Sequence, residues 1–169
     1  VDAHPPFYYL VLKAWGELFG FTEVALRSLS AVMLGGAVMM MLVLVRRLFG
    51  ARVMVVSTLV LVLAPFALRY GYEVRMYAMA SLIGIAATYA LVRARESTNN
   101  AWWVLYASLV ALGMYTLYMT LAVWVAHVVW LVWLSLRDKK RQPIWRWKWV
   151  YAFVGAIVLF APYIPTFFY

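Results

Sequence analysis

The fold is decided by the stretch AWWVLYASLVALGMYTLYMTLAVWVAHVVWLVWLSL, residues 101–136, which contains no aspartate, glutamate, lysine or arginine. A helix that crosses a bilayer needs about 20 apolar residues, whereas this stretch has 36. It therefore predicts two membrane-spanning helices, with a tight reversal between Gly113 and Thr120.

The composition of the whole chain has the same character. Of its 169 residues, 67% are hydrophobic and 12% are charged, and the mean hydropathy is +0.86. Soluble domains average about 45–50% apolar and about 25% charged residues. The chain has no cysteine, which excludes disulfides and thiolate metal sites. We therefore predict an all-α fold, a polytopic transmembrane helix bundle.

The apolar runs divide the chain into two parts. Residues 1–22 are predicted to be an external juxtamembrane segment, with a short amphipathic helix that starts near Pro6 and ends at Gly20, and Thr22 is predicted to cap the next helix. Residues 23–169 are predicted to form the transmembrane bundle. Its six predicted spans are residues 24–45, 53–68, 76–92, 101–117, 120–136 and 150–168.

The charged residues orient this bundle. The net charge is +9, and the basic residues lie at the ends of apolar runs, which is the membrane pattern and argues against nucleic acid as a partner. With six spans, 11 of the 15 basic residues fall in loops on one side. The positive-inside rule therefore predicts a multi-pass protein of the cytoplasmic membrane, with both termini and the loop Arg69–Tyr77 on the external side.

That external loop, RYGYEVRMY, carries two arginines, one glutamate and three tyrosines. Arg69, Glu73 and Tyr77 are spaced four apart, so a helical loop would place them on one face and point Arg75 elsewhere, where it could bind an anion. The planar fork of an arginine matches phosphate oxygens. The alternative is an interfacial cluster of ion pairs that only anchors the helix ends.

A second polar cluster, DAHPP, opens the chain. Asp2 and His4 could share a proton, a metal ion or a phosphate, or could belong to a frayed, solvated terminus. We predict that Asp2 and Glu73 converge in one water-accessible pocket at the outer leaflet. Lys13 is a further candidate for holding a phosphate there.

Other polar residues lie inside the predicted spans. His127 is either functional or, as we favour, bonded to a neighbouring helix. Tyr115, Thr116, Tyr118 and Thr120 either line the same external cavity or form an aromatic belt at the interface.

Four stretches resemble motifs of the bacterial and archaeal dolichyl-phosphate-mannose–protein mannosyltransferase-like proteins. DAHPPFYYLVLKAWGELFG resembles their D-x-HPP-x-Y-Y segment, and RYGYEVRMYAM resembles their Y-S-Q-E-A-R-M-Y-A-L loop. MYTLYMT is similar to their Y-T-H-Y turn, and APYIPTFFY is similar to their LPWLP span end. These motifs cover nearly the whole chain in the right order.

The resemblance implies a membrane glycosyltransferase of the C superfamily, which takes a sugar from a polyprenyl-phosphate donor and passes it to a protein, lipid or glycan acceptor on the external face. It assigns Glu73 and Asp2 as catalytic candidates. The candidates for binding substrate or phosphate are Arg75, Arg69, His4, Tyr77 and Lys13. A divalent metal held by Asp2, His4 and Glu73 is a further possibility.

Two departures from the motifs matter. The acidic loop that supplies the presumed general base of the family lies upstream of the His-Pro-Pro element, and this chain begins at Val1. We therefore expect a fragment of a larger membrane protein, with a preceding span and loop and further spans after Tyr169. The family histidine of the Y-T-H-Y turn is Leu117 here, and the glutamine of the loop motif is Tyr72.

Two other functional hypotheses stay open. One is a non-catalytic membrane scaffold or lipid-binding subunit with the same fold. The other is a transporter module, which half-helices around Pro65 or Pro162 would favour.

Overall fold

The computed structural model describes residues 5–64, 73–137 and 148–163. Within these ranges the chain forms seven α-helices and no strand, so the predicted all-α membrane bundle is confirmed. The helices are α1 Phe7–Phe19, α2 Glu23–Phe49, α3 Ala51–Leu63, α4 Tyr77–Glu96, α5 Ala101–Thr116, α6 Leu121–Arg137 and α7 Lys148–Phe160.

The short helix α1 forms where the amphipathic pattern predicts it. Gly20 ends it with a positive φ of 93°, a conformation that glycine adopts without steric cost. The next helix is capped as predicted, because the Thr22 hydroxyl accepts the Ala25 N–H at 3.3 Å. The indole of Trp15 donates to the Ala25 carbonyl at 3.0 Å and so fixes α1 against the start of α2.

Helix α2 is longer than its predicted span. It continues through Arg46 and Arg47 to Phe49 and ends at Gly50, whose φ is 85°. Arginine is a good helix former, and a cation in the last turn is favourable beside the helix dipole. A basic pair therefore marks the membrane boundary without ending the helix.

The bundle has two chemically distinct ends. Ser30 of α2 contacts Glu73, just before α4, and Arg47 of α2 pairs with Glu96 at the end of α4. Helices α2 and α4 therefore run in the same direction. We call the first end, with Ser30 and Glu73, the hinge end, and the second, with Arg47 and Glu96, the basic end.

Arginines at the basic end lie over tryptophan rings, an arrangement typical of a headgroup interface. The guanidinium carbon of Arg93 is 5.1 Å from the centre of the Trp102 ring, and that of Arg95 is 5.2 Å from the centre of the Trp130 ring. These contacts join the end of α4 to the start of α5 and to α6. The reversal between α5 and α6 lies at the hinge end, in the short 3₁₀ turn Tyr118–Thr120, inside the predicted range.

Small side chains bring the central helices together. Ala87 and Ala90 of α4, Ala107 of α5 and Ala156 of α7 lie in one buried cluster with Tyr106. Without a hydrophobic force between helices in lipid, association depends on close packing, which small residues permit. Helices α4 and α5 therefore lie at the centre of the described bundle, with α2 packed against α4, α7 against α5 and α3 along α2.

Three described helices are long and apolar enough to cross a membrane: Glu23–Phe49, Tyr77–Glu96 and Tyr118–Arg137. The remaining apolar helices of the described chain, among them Ala101–Thr116, are shorter than a full span. Helices occur at all six predicted spans, but the count of six crossings stays a prediction.

Gly113 is a position where the packing leaves no room for a side chain. A Cβ added there would lie 2.5 Å from a ring carbon of Trp124, which is buried. We expect Gly113→Ala to lower the thermal unfolding temperature in detergent by a few degrees, because overpacking costs about 1–3 kcal/mol and better helix propensity returns only about 1 kcal/mol.

Gly84→Ala is the matched control, since an added Cβ at Gly84 meets nothing within 4 Å. That variant should unfold at or above the wild-type temperature. Equal unfolding temperatures for the two variants would show that the Trp124 ring moves away without cost.

Candidate functional site

The predicted polar loop is a turn rather than a helix over its described part. Residues 73–76 are non-helical, and the Arg75 N–H donates to the Glu73 carbonyl at 2.9 Å. Helix α4 begins only at Tyr77. Their four-residue spacing would place Glu73 and Tyr77 on one face of a helix, but Glu73 lies in the turn before the helix, so that arrangement is wrong.

The turn also changes the expected position of Arg75. Instead of pointing away from the glutamate, its Nε lies 3.9 Å from Glu73 Oε2. The side chain of Arg75 is 63% exposed and that of Glu73 is 33% exposed. A pair this long between solvent-accessible groups contributes little to stability, and it leaves the guanidinium within reach of the water-accessible side of the turn.

The backbone of this turn is fixed from α2. The Ser30 hydroxyl, which is buried, donates to the Glu73 carbonyl at 2.7 Å. This hydrogen bond holds the start of the charged turn against a spanning helix. The charged side chains therefore extend from a fixed backbone.

Helix α1 approaches the same point through Tyr8, which is 2% exposed. Within the described residues its hydroxyl makes no direct hydrogen bond, although it faces the Ser30 hydroxyl. Burial raises the pKa of Tyr8 above its usual 10, against the lowering effect of Ser30. Tyr8 is therefore neutral at physiological pH.

The start of α1 and the turn before α4 thus share one buried cluster. Tyr8 packs in a buried cluster with Leu29, Met76 and Met79. The prediction that the two polar clusters face each other involves Asp2, His4 and Arg69, which lie outside the described residues. The segment that directly follows His4 does lie against the segment that contains Met76.

An apolar cavity of about 510 Å³ begins at Tyr77. It runs between α2, α4 and the start of α6, toward the middle of the bundle. Tyr77 is thus both part of the predicted loop and part of the cavity wall. The other lining residues are Met41, Leu44, Ala80, Ser81, Gly84, Ile85, Thr88, Leu117, Met119, Thr120 and Val123.

The remaining sequence candidates are placed differently. Lys13 lies on the exposed face of α1, with its Nζ 3.9 Å from Glu17 Oε1. Of the four polar residues at the reversal, Thr120 is the one in the described lining of the cavity that begins at Tyr77. The Tyr115 hydroxyl instead donates to the Leu159 carbonyl at 3.0 Å.

His127 is bonded to neighbouring helices, as we favoured. Its Nε2 lies 3.1 Å from the Thr88 hydroxyl and its Nδ1 lies 3.1 Å from the Tyr106 hydroxyl. Thr88 already donates to the Gly84 carbonyl at 2.8 Å, so it accepts from Nε2–H. Tyr106 then donates to Nδ1, which assigns a neutral imidazole that joins α4, α5 and α6.

A metal ion is not supported by the described residues alone, since no group of three histidine, aspartate or glutamate side chains occurs among them. Of the predicted set, Glu73 is described, whereas Asp2 and His4 are not.

Two residues that organise this site were missed by sequence reasoning. Ser30 reads as an ordinary member of an apolar run, and Tyr8 entered only as a tyrosine of the D-x-HPP-x-Y-Y segment, with no role assigned to it. The signal for Ser30 was its position as a polar residue seven positions inside a predicted span, where a hydroxyl needs a partner.

The fold and the site define a class: a polytopic helical membrane protein in which a charged turn adjoins an apolar cavity. A profile of the dolichyl-phosphate-mannose-protein mannosyltransferase family matches residues 3–165. The chain therefore belongs to that family, which is one of membrane glycosyltransferases. Searches of curated proteins and of solved structures found no match.

Proposed function

We propose that the protein transfers a sugar from a polyprenyl-phosphate donor to a protein, lipid or glycan acceptor on the external face of the cytoplasmic membrane. One observation carries this proposal: the charged turn with Glu73 and Arg75 leads directly into Tyr77, which lines the apolar cavity. A lipid with a charged head and an apolar tail needs both surfaces side by side.

The head of the donor would lie at Arg75. A sugar-phosphate-lipid diester carries one negative charge, and release of the sugar leaves a phosphate with up to two. A guanidinium beside that phosphate gains attraction as the charge develops, which is the condition for catalysis rather than mere binding. Arg69, His4 and Lys13 remain further candidates for the same charge.

The tail of the donor would lie in the cavity below Tyr77. Lipid chains are as apolar as the residues that line it, so transfer from bilayer to cavity brings little hydrophobic gain. The cavity therefore positions the tail, while the charged head supplies most of the selectivity. A hydrogen bond to a charged group contributes about 1.5–3 kcal/mol.

Glu73 would act on the donor side. Its carboxylate lies beside the Arg75 guanidinium, and it can accept hydrogen bonds from sugar hydroxyls while it orients that arginine. The resemblance gives the role of proton acceptor to the acidic motif upstream of the His-Pro-Pro element, and Asp2 is the second carboxylate candidate. Single displacement needs one such base.

The proposed orientation is supported by the distribution of charge. Arg46, Arg47, Arg93 and Arg95 lie in the last turns of α2 and α4, at the basic end. By the positive-inside rule, this distribution favours a cytoplasmic basic end and an external hinge end.

The proposal is tested by a substitution that fills the cavity with a larger side chain. An added Cβ at Gly84 meets nothing within 4 Å, so a leucine there extends into the cavity. With the protein in proteoliposomes, we expect Gly84→Leu to raise the KM for a long-chain polyprenyl-phosphate-sugar roughly tenfold, the equivalent of about 1.4 kcal/mol. A donor with one or two isoprene units should be affected less.

Gly35→Leu is the matched control, because Gly35 on α2 is exposed and has equally open surroundings. It should transfer sugar at the wild-type rate. If the wild-type protein binds polyprenyl-phosphate-sugar but transfers nothing, the protein is the non-catalytic lipid-binding subunit instead.

A further inference from the structure

A second groove runs between α5 and α7, starting at the basic end of the bundle. It has a volume of about 530 Å³ and contains neither Tyr77 nor any other residue of the cavity described above. Its lining residues are Asn100, Trp103, Val104, Ala107, Ser108, Lys148, Tyr151, Ala152, Gly155, Val158 and Leu159.

The polar end of the groove is formed by Lys148 and Asn100. The ammonium of Lys148 donates to the Asn100 side-chain oxygen at 2.9 Å. An ammonium has three N–H donors, so this bond holds the lysine in place and leaves it able to bind an anion. Among the described residues that line the groove, Lys148 is the one with an ionisable amine or guanidinium.

Below this end the groove is mostly apolar, with Ser108 and Tyr151 as its described hydroxyl-bearing residues. Its floor contains the small residues Ala107 and Gly155, and a Cβ added to Gly155 would lie 4.0 Å from the Ala107 Cβ. Because neither residue has a side chain that projects outward between the helices, a shallow trough remains there. From Lys148 to Leu159 the trough is roughly 16 Å long at 1.5 Å per helical residue. The hydrocarbon core of a bilayer is about 30 Å thick, so this is the depth of one leaflet.

The charge of the chain around this groove favours an anion. Arg137 ends α6 at the basic end, and Arg47 and Arg93 lie in the last turns of α2 and α4 at the same end. Basic residues near the membrane surface attract anionic lipids, by about 1 kcal/mol each.

We propose that the groove between α5 and α7 binds one anionic phospholipid of the leaflet at the basic end. Its phosphate contacts Lys148 beside Asn100, and one acyl chain occupies the trough over Ala107 and Gly155. This site is separate from the proposed donor site and does not depend on sugar transfer.

The test uses native mass spectrometry of the protein titrated with phosphatidylglycerol or with phosphatidylcholine. Wild-type protein should bind the first phosphatidylglycerol several times more tightly than phosphatidylcholine. Lys148→Gln should weaken phosphatidylglycerol binding about fivefold with little effect on phosphatidylcholine. Gly155→Leu should weaken binding of both lipids, since the leucine fills the trough.

Two controls separate this site from general surface charge and from any added leucine. Arg52→Gln removes a cation from the start of α3, close in sequence to the arginine pair in the last turn of α2, and should leave the affinity unchanged, as should Gly35→Leu. The proposal is overturned if Arg52→Gln and Lys148→Gln weaken binding equally, or if wild-type protein does not distinguish the two lipids. If Gly155→Leu fails to fold, the exposed substitution Lys148→Gln still decides the outcome.

Discussion

Arg75→Ala is expected to lower sugar transfer by about 10²–10³-fold, with most of the loss in kcat. The reason is that the lipid phosphate gains negative charge as the sugar leaves, so the guanidinium stabilises the transition state more than the bound donor. Removing one such group from a preorganised site typically costs about 2.7–4 kcal/mol. The measurement is the initial rate of transfer in proteoliposomes over a range of polyprenyl-phosphate-sugar concentrations.

Two further substitutions sharpen this prediction. Arg75→Lys keeps the charge but loses the planar fork, so its rate should fall between those of wild type and Arg75→Ala. Arg27→Ala is the matched control, because it removes an arginine that pairs with Glu23 in the first turns of α2. It should transfer sugar at the wild-type rate. A loss in KM alone, with kcat unchanged, would mean that Arg75 binds the donor without favouring its reaction.

The helices could be predicted from the sequence because bilayer thickness sets their length and apolar runs mark them. The reversal after Thr116 followed from length alone, since 36 apolar residues are too many for one span. The caps at Gly20 and Thr22 followed from local chemistry. These features depend on residues that are close together in the chain.

The geometry of the site could not be predicted in the same way. The spacing of Glu73 and Tyr77 fits a helix, but Ser30 binds the Glu73 carbonyl across 43 positions of sequence, and the chain turns there instead. The pairing of Arg75 with Glu73 follows from that turn. Contacts of this kind depend on how α2 and α4 lie together, which local spacing does not contain.

Glu73→Gln is expected to reduce sugar transfer about 10–100-fold. The amide has nearly the same shape, so the turn held by Ser30 should persist, because the bond from Ser30 is made to the backbone carbonyl. What is lost is the negative charge that orients Arg75 and accepts hydrogen bonds from the sugar. Hydrogen bonds to charged groups contribute about 1.5–3 kcal/mol, which sets the size of the effect.

The pH dependence of the remaining activity shows which role Glu73 has. If Glu73 acts on the donor side, the variant keeps the acidic limb of the pH–rate profile, because another carboxylate accepts the acceptor's proton. Glu23→Gln, the same change in an exposed carboxylate in the first turn of α2, should leave both rate and profile unchanged. A Glu73→Gln profile without an acidic limb would make Glu73 the general base itself, and the positioning role would be wrong.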